Sequence, residues 1–234
     1  MNKIITTADG SNTLYNETIG EHYHSTHGAL QESQHVFLDA GLKHAIEQSP
    51  KEISLLEVGF GTGLNFLLTL DFCQENDIDL NYTAAEAFPL TKAEIIQTNY
   101  GAYVPADIWN ELLNNYELAI DQRVTLFERQ QLTILKKAFQ DIPATARFDL
   151  IYYDAFSVRH QPEMWSDEVI AHAAAFLKPG GIFVTYAITG KLKRCLKALG
   201  FRIEKLPGAA GKREMLRATK EVRAIKDNNP EAAH

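Results

Sequence analysis

Cysteine is nearly missing from this chain: only Cys73 and Cys195 occur among 234 residues. Two are too few for a disulfide framework or a thiolate zinc site. Both fall in stretches of helical apolar spacing, which predicts plain core positions. No apolar run approaches about eighteen residues, so no membrane-spanning helix is predicted. The opening stretch MNKIITTADGSN lacks an apolar segment and a cleavage site, so nothing marks a secretory leader. These absences predict a cytoplasmic protein without membrane attachment. Repeats and low-complexity segments are missing too. The chain is 45% hydrophobic and 23% charged, which excludes a disordered or fibrous class. The length predicts one domain over 1–226, with 1–50 as an N-terminal cap region and 227–234 as a flexible tail.

Net positive charge is lacking overall, at −7, but the total conceals an asymmetry. Residues 191–226 hold twelve basic and three acidic residues, a net +9, which leaves −16 for the remainder. A cationic block on an acidic body suits a phosphate backbone, whose condensed counterions Lys and Arg displace. A solvated helix face with a loose basic tail has the same composition, so the block needs support from chemistry elsewhere.

Hydrophobic periodicity predicts alternating elements. Residues 1–28 are polar and read as irregular. Helices are expected at 30–48 (ended by Pro50), 64–73, 91–98, 105–118, 131–139, 162–177 and 191–199. Strands are expected at 53–58, 81–86, 123–127, 148–153, 182–187, 201–205 and 214–218. The last two strands have too short a connection for a parallel crossover and must pair antiparallel. Five parallel strands under helices, closed by an antiparallel pair, outline an α/β, Rossmann-like class I methyltransferase fold.

At the first strand-to-helix junction stands Glu57-Val-Gly59-Phe-Gly61-Thr-Gly63. Glycines let backbone approach a ligand closely, and the helix start favours negative charge. A tight turn alone explains a glycine triplet. The spacing, however, puts Leu64 where a dinucleotide fingerprint wants its third glycine, which disfavours a nicotinamide oxidoreductase. Glu86 ends the second strand, where a carboxylate can accept both ribose hydroxyls. Asp154 ends the fourth, at the edge where open α/β sheets bind ligands, and can take an amine proton; Phe156 beside it can stack on a flat substrate. His22, His24 and His27 have no acidic or cysteine partner at metal-ligand spacing, so no metal is expected.

The chain resembles a family at this point: the methyltransferase domain of MnmC, the bacterial tRNA wobble-uridine enzyme. The likeness runs from about residue 20 to 218. Its signatures are Val-Phe-Leu at 36–38, Glu57-Val-Gly-Phe-Gly-Thr-Gly-Leu-Asn65, Glu86-Ala-Phe-Pro-Leu90, Asp154-Ala-Phe-Ser157, Pro162-Glu-Met-Trp165, Thr185-Tyr186, Arg194, Leu199-Gly-Phe201 and Gly211-Lys-Arg-Glu-Met-Leu216. The resemblance implies S-adenosylmethionine as cofactor. Glu57, Gly59, Gly61 and Gly63 would hold its methionine part, with Asn65 in the same set, and Glu86 its ribose. Asp154 and Phe156 would face the methyl group and a substrate amine. Tyr186 and Tyr23 stand second to Asp154 as proton acceptors, and Trp165 could stack on the base or sit in the core.

Where the family tends to place Gly-Asp near adenine, this chain has Phe127-Glu128-Arg129, which makes Glu128 the expected adenine contact. Lys191, Lys193, Arg194, Lys212 and Arg213 are the expected tRNA contacts. Bifunctional relatives continue into a flavin-dependent oxidase domain; this chain ends at His234, so neither FAD nor oxidase activity is expected. The expected reaction converts 5-aminomethyl-(2-thio)uridine to 5-methylaminomethyl-(2-thio)uridine at the wobble position. A small-molecule amine or hydroxyl methyltransferase would share the fold and Asp154 without needing the basic block. A cofactor-binding protein without catalysis would keep Glu86 and tolerate loss of Asp154.

Overall fold

The computed structural model describes residues 2–47 and 51–222. The predicted helix end at Gln48 and Pro50, the basic Arg223 and Lys226, and the 227–234 tail lie outside the described residues. Eight strands form the main sheet: β4 (Glu52–Val58), β5 (Asp79–Ala85), β6 (Val124–Leu126), β7 (Gln130–Leu135), β8 (Phe148–Tyr153), β9 (Leu177–Thr185), β10 (Phe201–Pro207) and β11 (Glu214–Lys220). Their order is β10-β11-β9-β8-β4-β5-β7-β6. β4, β5, β7, β8 and β9 run parallel, and β10 and β11 pair antiparallel at one edge, as the sequence predicts. β4 is buried from Ile53 to Val58, as expected of a central strand covered on both faces.

Six helices cover the sheet. The first, α1, is continuous through Ala29–Glu32, a π-type stretch Ser33–Lys43 and His44–Ile46. Then come α2 (Leu64–Glu75), α3 (Lys92–Gln97), α4 (Ala106–Ala119), α5 (Asp167–Phe176) and α6 (Gly190–Ala198). One core, with Phe37, Leu67, Leu112, Tyr82 and Tyr152, lies between the sheet and α1, α2 and α4. The other, with Tyr153, Trp165, Ile170, Phe183 and Leu196, lies under α5 and α6. Among the described residues no helix is long and apolar enough to cross a membrane.

Three expectations need correction. Residues 1–28 are not irregular throughout. β1 (Asn2–Thr6), β2 (Asn12–Asn16) and β3 (Glu21–His22) form a separate antiparallel sheet, and the turn between the first two is fixed by Asp9 accepting from Ser11 and Thr7. The third parallel strand is β7, not 123–127, so the helix expected at 131–139 does not exist. Val124–Leu126 is an antiparallel edge strand that reverses through Phe127, at φ 49°. Gln130, Leu132 and Ile134 are buried and alternate with half-buried neighbours, a period of two that the sequence carries and that a helix would not produce. Finally, the helix expected from Pro162 is interrupted. Pro162–Trp165 makes one tight turn, and Ser166 then caps α5 by accepting from the Val169 N–H at 3.2 Å.

α1 crosses the sheet so closely that a Cβ on Gly41 would lie 2.9 Å from a Val184 methyl and 3.0 Å from the Tyr152 ring. Gly41→Val should therefore destabilise the fold by about 1–3 kcal/mol through overpacking. Urea unfolding with an unchanged midpoint would show that the helix can lift away freely.

Candidate active site

The chain leaves β4, builds β5 and β7 on one side, then crosses over to β8 and β9 on the other. The crevice at this reversal lies between β4 and β8, the place where open α/β sheets bind ligands. A cavity of about 950 Å³ opens there, lined by the Gly59–Thr62 loop after β4, Glu86 after β5 and Asp154 after β8. That is near the top of the usual range for ligand sites, about 300–1,000 Å³, with room for two small molecules.

Gly59 and Gly61 form the cradle. Gly59, at φ 92°, passes so close to β8 that a Cβ would stand 2.8 Å from the Asp154 carbonyl oxygen; one on Gly61, at φ 52°, would stand 2.9 Å from the Tyr23 ring. Glu86 accepts from the Gly61 N–H at 3.1 Å and the Phe88 N–H at 2.9 Å. The Phe60 N–H adds a third backbone hydrogen bond, and a carboxylate has about four acceptor positions. Burial raises its pKa against these hydrogen bonds. A glycine-floored cleft with such an acid fits the nucleoside and amino-acid ends of S-adenosylmethionine.

Asp154 is the best-built acid of the site. The Asn65 amide donates to its Oδ2 at 2.8 Å and to Glu57 Oε1 at 2.9 Å. Burial pushes the Asp154 carboxyl up to about 8, with help from the Glu32 carboxylate and opposition from Asn65 and the Lys212 ammonium. Glu57 is fully buried, also bound by the Tyr82 hydroxyl at 2.7 Å, and burial raises it well above the usual carboxylate range. Glu57, Asn65 and Gly63 do not line the cavity. They stand behind the residues that do. Gly63 packs at the start of α2, where a Cβ would lie 3.1 Å from the Phe60 ring.

Phe156 lines the cavity and meets the Tyr23 ring edge-on, centroids 5.1 Å apart. Trp165 is buried and donates its indole N–H to the Phe156 carbonyl at 2.7 Å; it shapes the loop and offers no stacking face. Tyr186 lines the cavity but donates its hydroxyl proton to the Ala155 carbonyl at 2.9 Å, and burial raises its pKa well above the ordinary value. Burial likewise takes Tyr23 to about 12. Both remain neutral phenols.

Glu128 is exposed in the β6–β7 turn. Its neighbour Arg129 pairs with Asp79 at the start of β5, so the turn sits at the opposite end of the sheet from the cavity. The segment that does reach the cavity after the true third strand is Lys137, Ala138, Phe139 and Gln140. The misplaced strand had hidden it.

One charge pair at the cavity wall is not visible in the sequence. Glu32, inside α1, is buried at the cavity wall and accepts from the Ser25 N–H at 3.1 Å. Lys212, expected on an RNA surface, instead enters the cavity. Its Nζ lies 2.5 Å from Glu32 Oε2 and 3.7 Å from the centre of the Tyr186 ring. Arg213 beside it is exposed. The three N-terminal histidines face different partners: His22 the Tyr15 ring, His24 the Thr62 hydroxyl at 2.8 Å, His27 the backbone of Gly211. Burial lowers His24 to about 4, so it ties the glycine loop down as a neutral imidazole.

The parallel sheet, the reversal-point cavity and its two strand-end acids define a nucleotide-type ligand site on a Rossmann-like fold. A family described as S-adenosyl-L-methionine-dependent methyltransferase matches residues 104–221. The chain belongs to this family. It is 36% identical over 208 residues to the tRNA 5-methylaminomethyl-2-thiouridine biosynthesis bifunctional protein MnmC of Magnetococcus marinus, covering 86% of this chain and 31% of the relative. The same-named protein of Pseudomonas savastanoi is 32% identical over 215 residues, 84% of this chain and 32% of the relative. The chain thus spans about a third of the length of these relatives. Among solved structures, MNMC2 from Aquifex aeolicus superposes with a TM-score of 0.75 at 26% identity, over 96% of this chain and 71% of that one. Magnesium protoporphyrin IX methyltransferase from Synechocystis shares the fold, with a TM-score of 0.51 at 12% identity over 82% and 81% of the two chains.

Two outcomes follow from this geometry. An unfolded aspartate titrates near about 3.9, whereas Asp154 in the fold titrates near 8. Between those values the native state holds a proton the unfolded chain has lost, so wild type loses stability as pH rises. Without ligand, Asp154→Asn should melt above wild type by a margin that widens from about pH 4 to about pH 8 and then stays constant. A margin flat across that range would place Asp154 in water. Separately, Lys212→Met strands the buried Glu32 carboxylate and should cost about 1–3 kcal/mol, read as a lower melting temperature, while Arg213→Met should melt like wild type.

Proposed function

We propose that this protein transfers a methyl group from S-adenosylmethionine to the primary amine of 5-aminomethyl-uridine, 2-thiolated or not, at the wobble position of tRNA. The observation that carries this reading is the single cavity that sets Glu86 and Asp154 on either side of the Gly59–Thr62 loop. The names of the relatives point to the same modified uridine.

When bound, the cofactor supplies a methyl group on a sulfonium leaving group. Glu86, at the end of β5, would accept the ribose hydroxyls. The aromatic wall of Phe156, Tyr23 and Tyr186 holds the uracil ring out of its stack, since a base must leave the anticodon loop to be reached. Asp154, aimed by Asn65, acts in its ionised form, which gains population as pH rises toward 8: the carboxylate orients the neutral amine and takes the proton that nitrogen sheds as its bond to the methyl carbon forms. Electrons of the breaking carbon–sulfur bond stay on sulfur, so no covalent enzyme intermediate is needed.

Glu86→Ala should weaken S-adenosylhomocysteine binding about ten- to a hundredfold, as expected for loss of charged hydrogen bonds. Asp154→Ala should keep that affinity within a few-fold and slow methyl transfer to an aminomethyluridine-containing anticodon stem–loop by about 10²–10⁴. Calorimetry and nucleoside mass spectrometry read the two. A wild-type protein that methylates small amines but not this RNA would replace the proposal with a small-molecule methyltransferase.

A further inference from the structure

A second concavity lies away from the first. It measures about 350 Å³ and is lined by Gly190, Lys193, Arg194, Lys197, Ile203 and Lys205. Four of these six are cations and none is an acid. Lys193, Arg194 and Lys197 project from one face of α6, spaced i, i+1 and i+4. Ile203 and Lys205 lie two apart on β10 and so share the face of the sheet turned to that helix.

Four other basic residues of this segment are engaged. Lys212 pairs with Glu32, Arg217 with Glu204 at 2.9 Å, Lys191 with Asp167 at 3.8 Å, and Lys220 donates to the Ala174 and Leu177 carbonyls at 2.8 Å. Among the described residues the four groove cations make no ion pair.

Position decides what the groove can serve. Lys205 stands opposite Leu216, which stands opposite Thr185. Two strand spacings of about 4.8 Å place Lys205 roughly 10 Å from the end of β9, and the next residue after that end, Tyr186, lines the catalytic cavity. Gly190 opens α6 at this same edge of the sheet.

We infer that this groove holds the RNA phosphates that flank the nucleotide inserted in the cavity. The inference rests on the proposed function for the identity of that nucleotide. An RNA strand whose base occupies the cavity carries its neighbouring phosphates past the β9 edge, and four unpaired cations there release their counterions. An acidic protein would meet the same four charges, but nothing would tether it to the cavity edge.

The test uses Lys193→Glu/Lys197→Glu, two side chains outside the core, with Lys51→Glu, just before β4 at the end of the parallel strands opposite the cavity, as the control. The substrate is an anticodon stem–loop bearing 5-aminomethyluridine. The double variant should raise KM for this RNA about tenfold or more and flatten the salt dependence of RNA binding by about one and a half log units per log unit. Its affinity for S-adenosylhomocysteine should match wild type, and Lys51→Glu should change neither quantity. Unchanged KM and salt slope, or an equal loss with Lys51→Glu, would overturn the inference. So would loss of polyglutamate binding with RNA binding intact, which would assign the groove to an acidic protein. If wild type fails to methylate the RNA while its salt-dependent RNA binding still requires Lys193 and Lys197, the methylation reading falls and the groove stands.

Discussion

The amide of Asn65 donates to two buried carboxylates at once, Glu57 and Asp154. Much of the site depends on that shared donor. Glu57 comes from β4 and Asp154 follows β8, the two strands flanking the crevice. Asn65, in the first turn of α2, joins them across it. Two carboxyl groups this close resist ionising together, so the arrangement keeps protons near neutrality where exposed acids would have lost them. Glu57 is best understood as the acid that fixes Asn65 and, through it, the direction of Asp154. Tyr82 completes the network by donating to the other oxygen of Glu57.

The N-terminal segment and the β10–β11 hairpin meet beside this network. His24 ties the N-terminal segment to the glycine loop through Thr62, and Glu21 accepts from the Ser157 N–H at 2.8 Å, next to the Asp154-Ala-Phe stretch. From the other side, Lys212 pairs with Glu32, and His35 donates to the Pro207 carbonyl at 2.7 Å. The ring of His27 fills the space beside Gly211, where any Cβ would stand 2.2 Å from it. These contacts are polar or backbone-directed, which explains why residues 1–28 look irregular by hydrophobic pattern alone. Their order comes from partners far away in the chain, not from local periodicity.

The same distinction separates what could be read from the sequence and what could not. The glycine loop, Glu86 and Asp154 were legible because each follows a short apolar strand, and a strand end at a βα junction has a fixed place in this architecture. Glu128 was misplaced because Arg123–Phe127 and Gln130–Leu135 compete for one strand position, and the more polar of the two is the parallel one. Gln130 is nearly fully buried, its Nε2 donating to the Ile78 carbonyl at 3.2 Å; a buried glutamine gives no apolar signal. Glu32 and Lys212 are 180 residues apart, and only the folded sheet reveals that one neutralises the other. Composition assigned Lys212 to a surface; pairing assigns it to the cavity.

That reassignment changes how the charge asymmetry works. A segment with a net +9 does not present nine charges, because Lys212, Arg217, Lys191 and Lys220 are committed to partners within the fold. The usable cations reduce to a compact set near α6 and β10, on a body whose remaining charge is strongly negative. For a polyanion, most approaches to such a body are repulsive, and repulsion over the wrong faces selects orientation as effectively as attraction over the right one. An acidic protein with one small basic groove is therefore better suited to orient a nucleic acid at a cavity than a uniformly basic one, which would hold the same strand in many registers. On the proposed RNA reading, the negative net charge is part of the recognition.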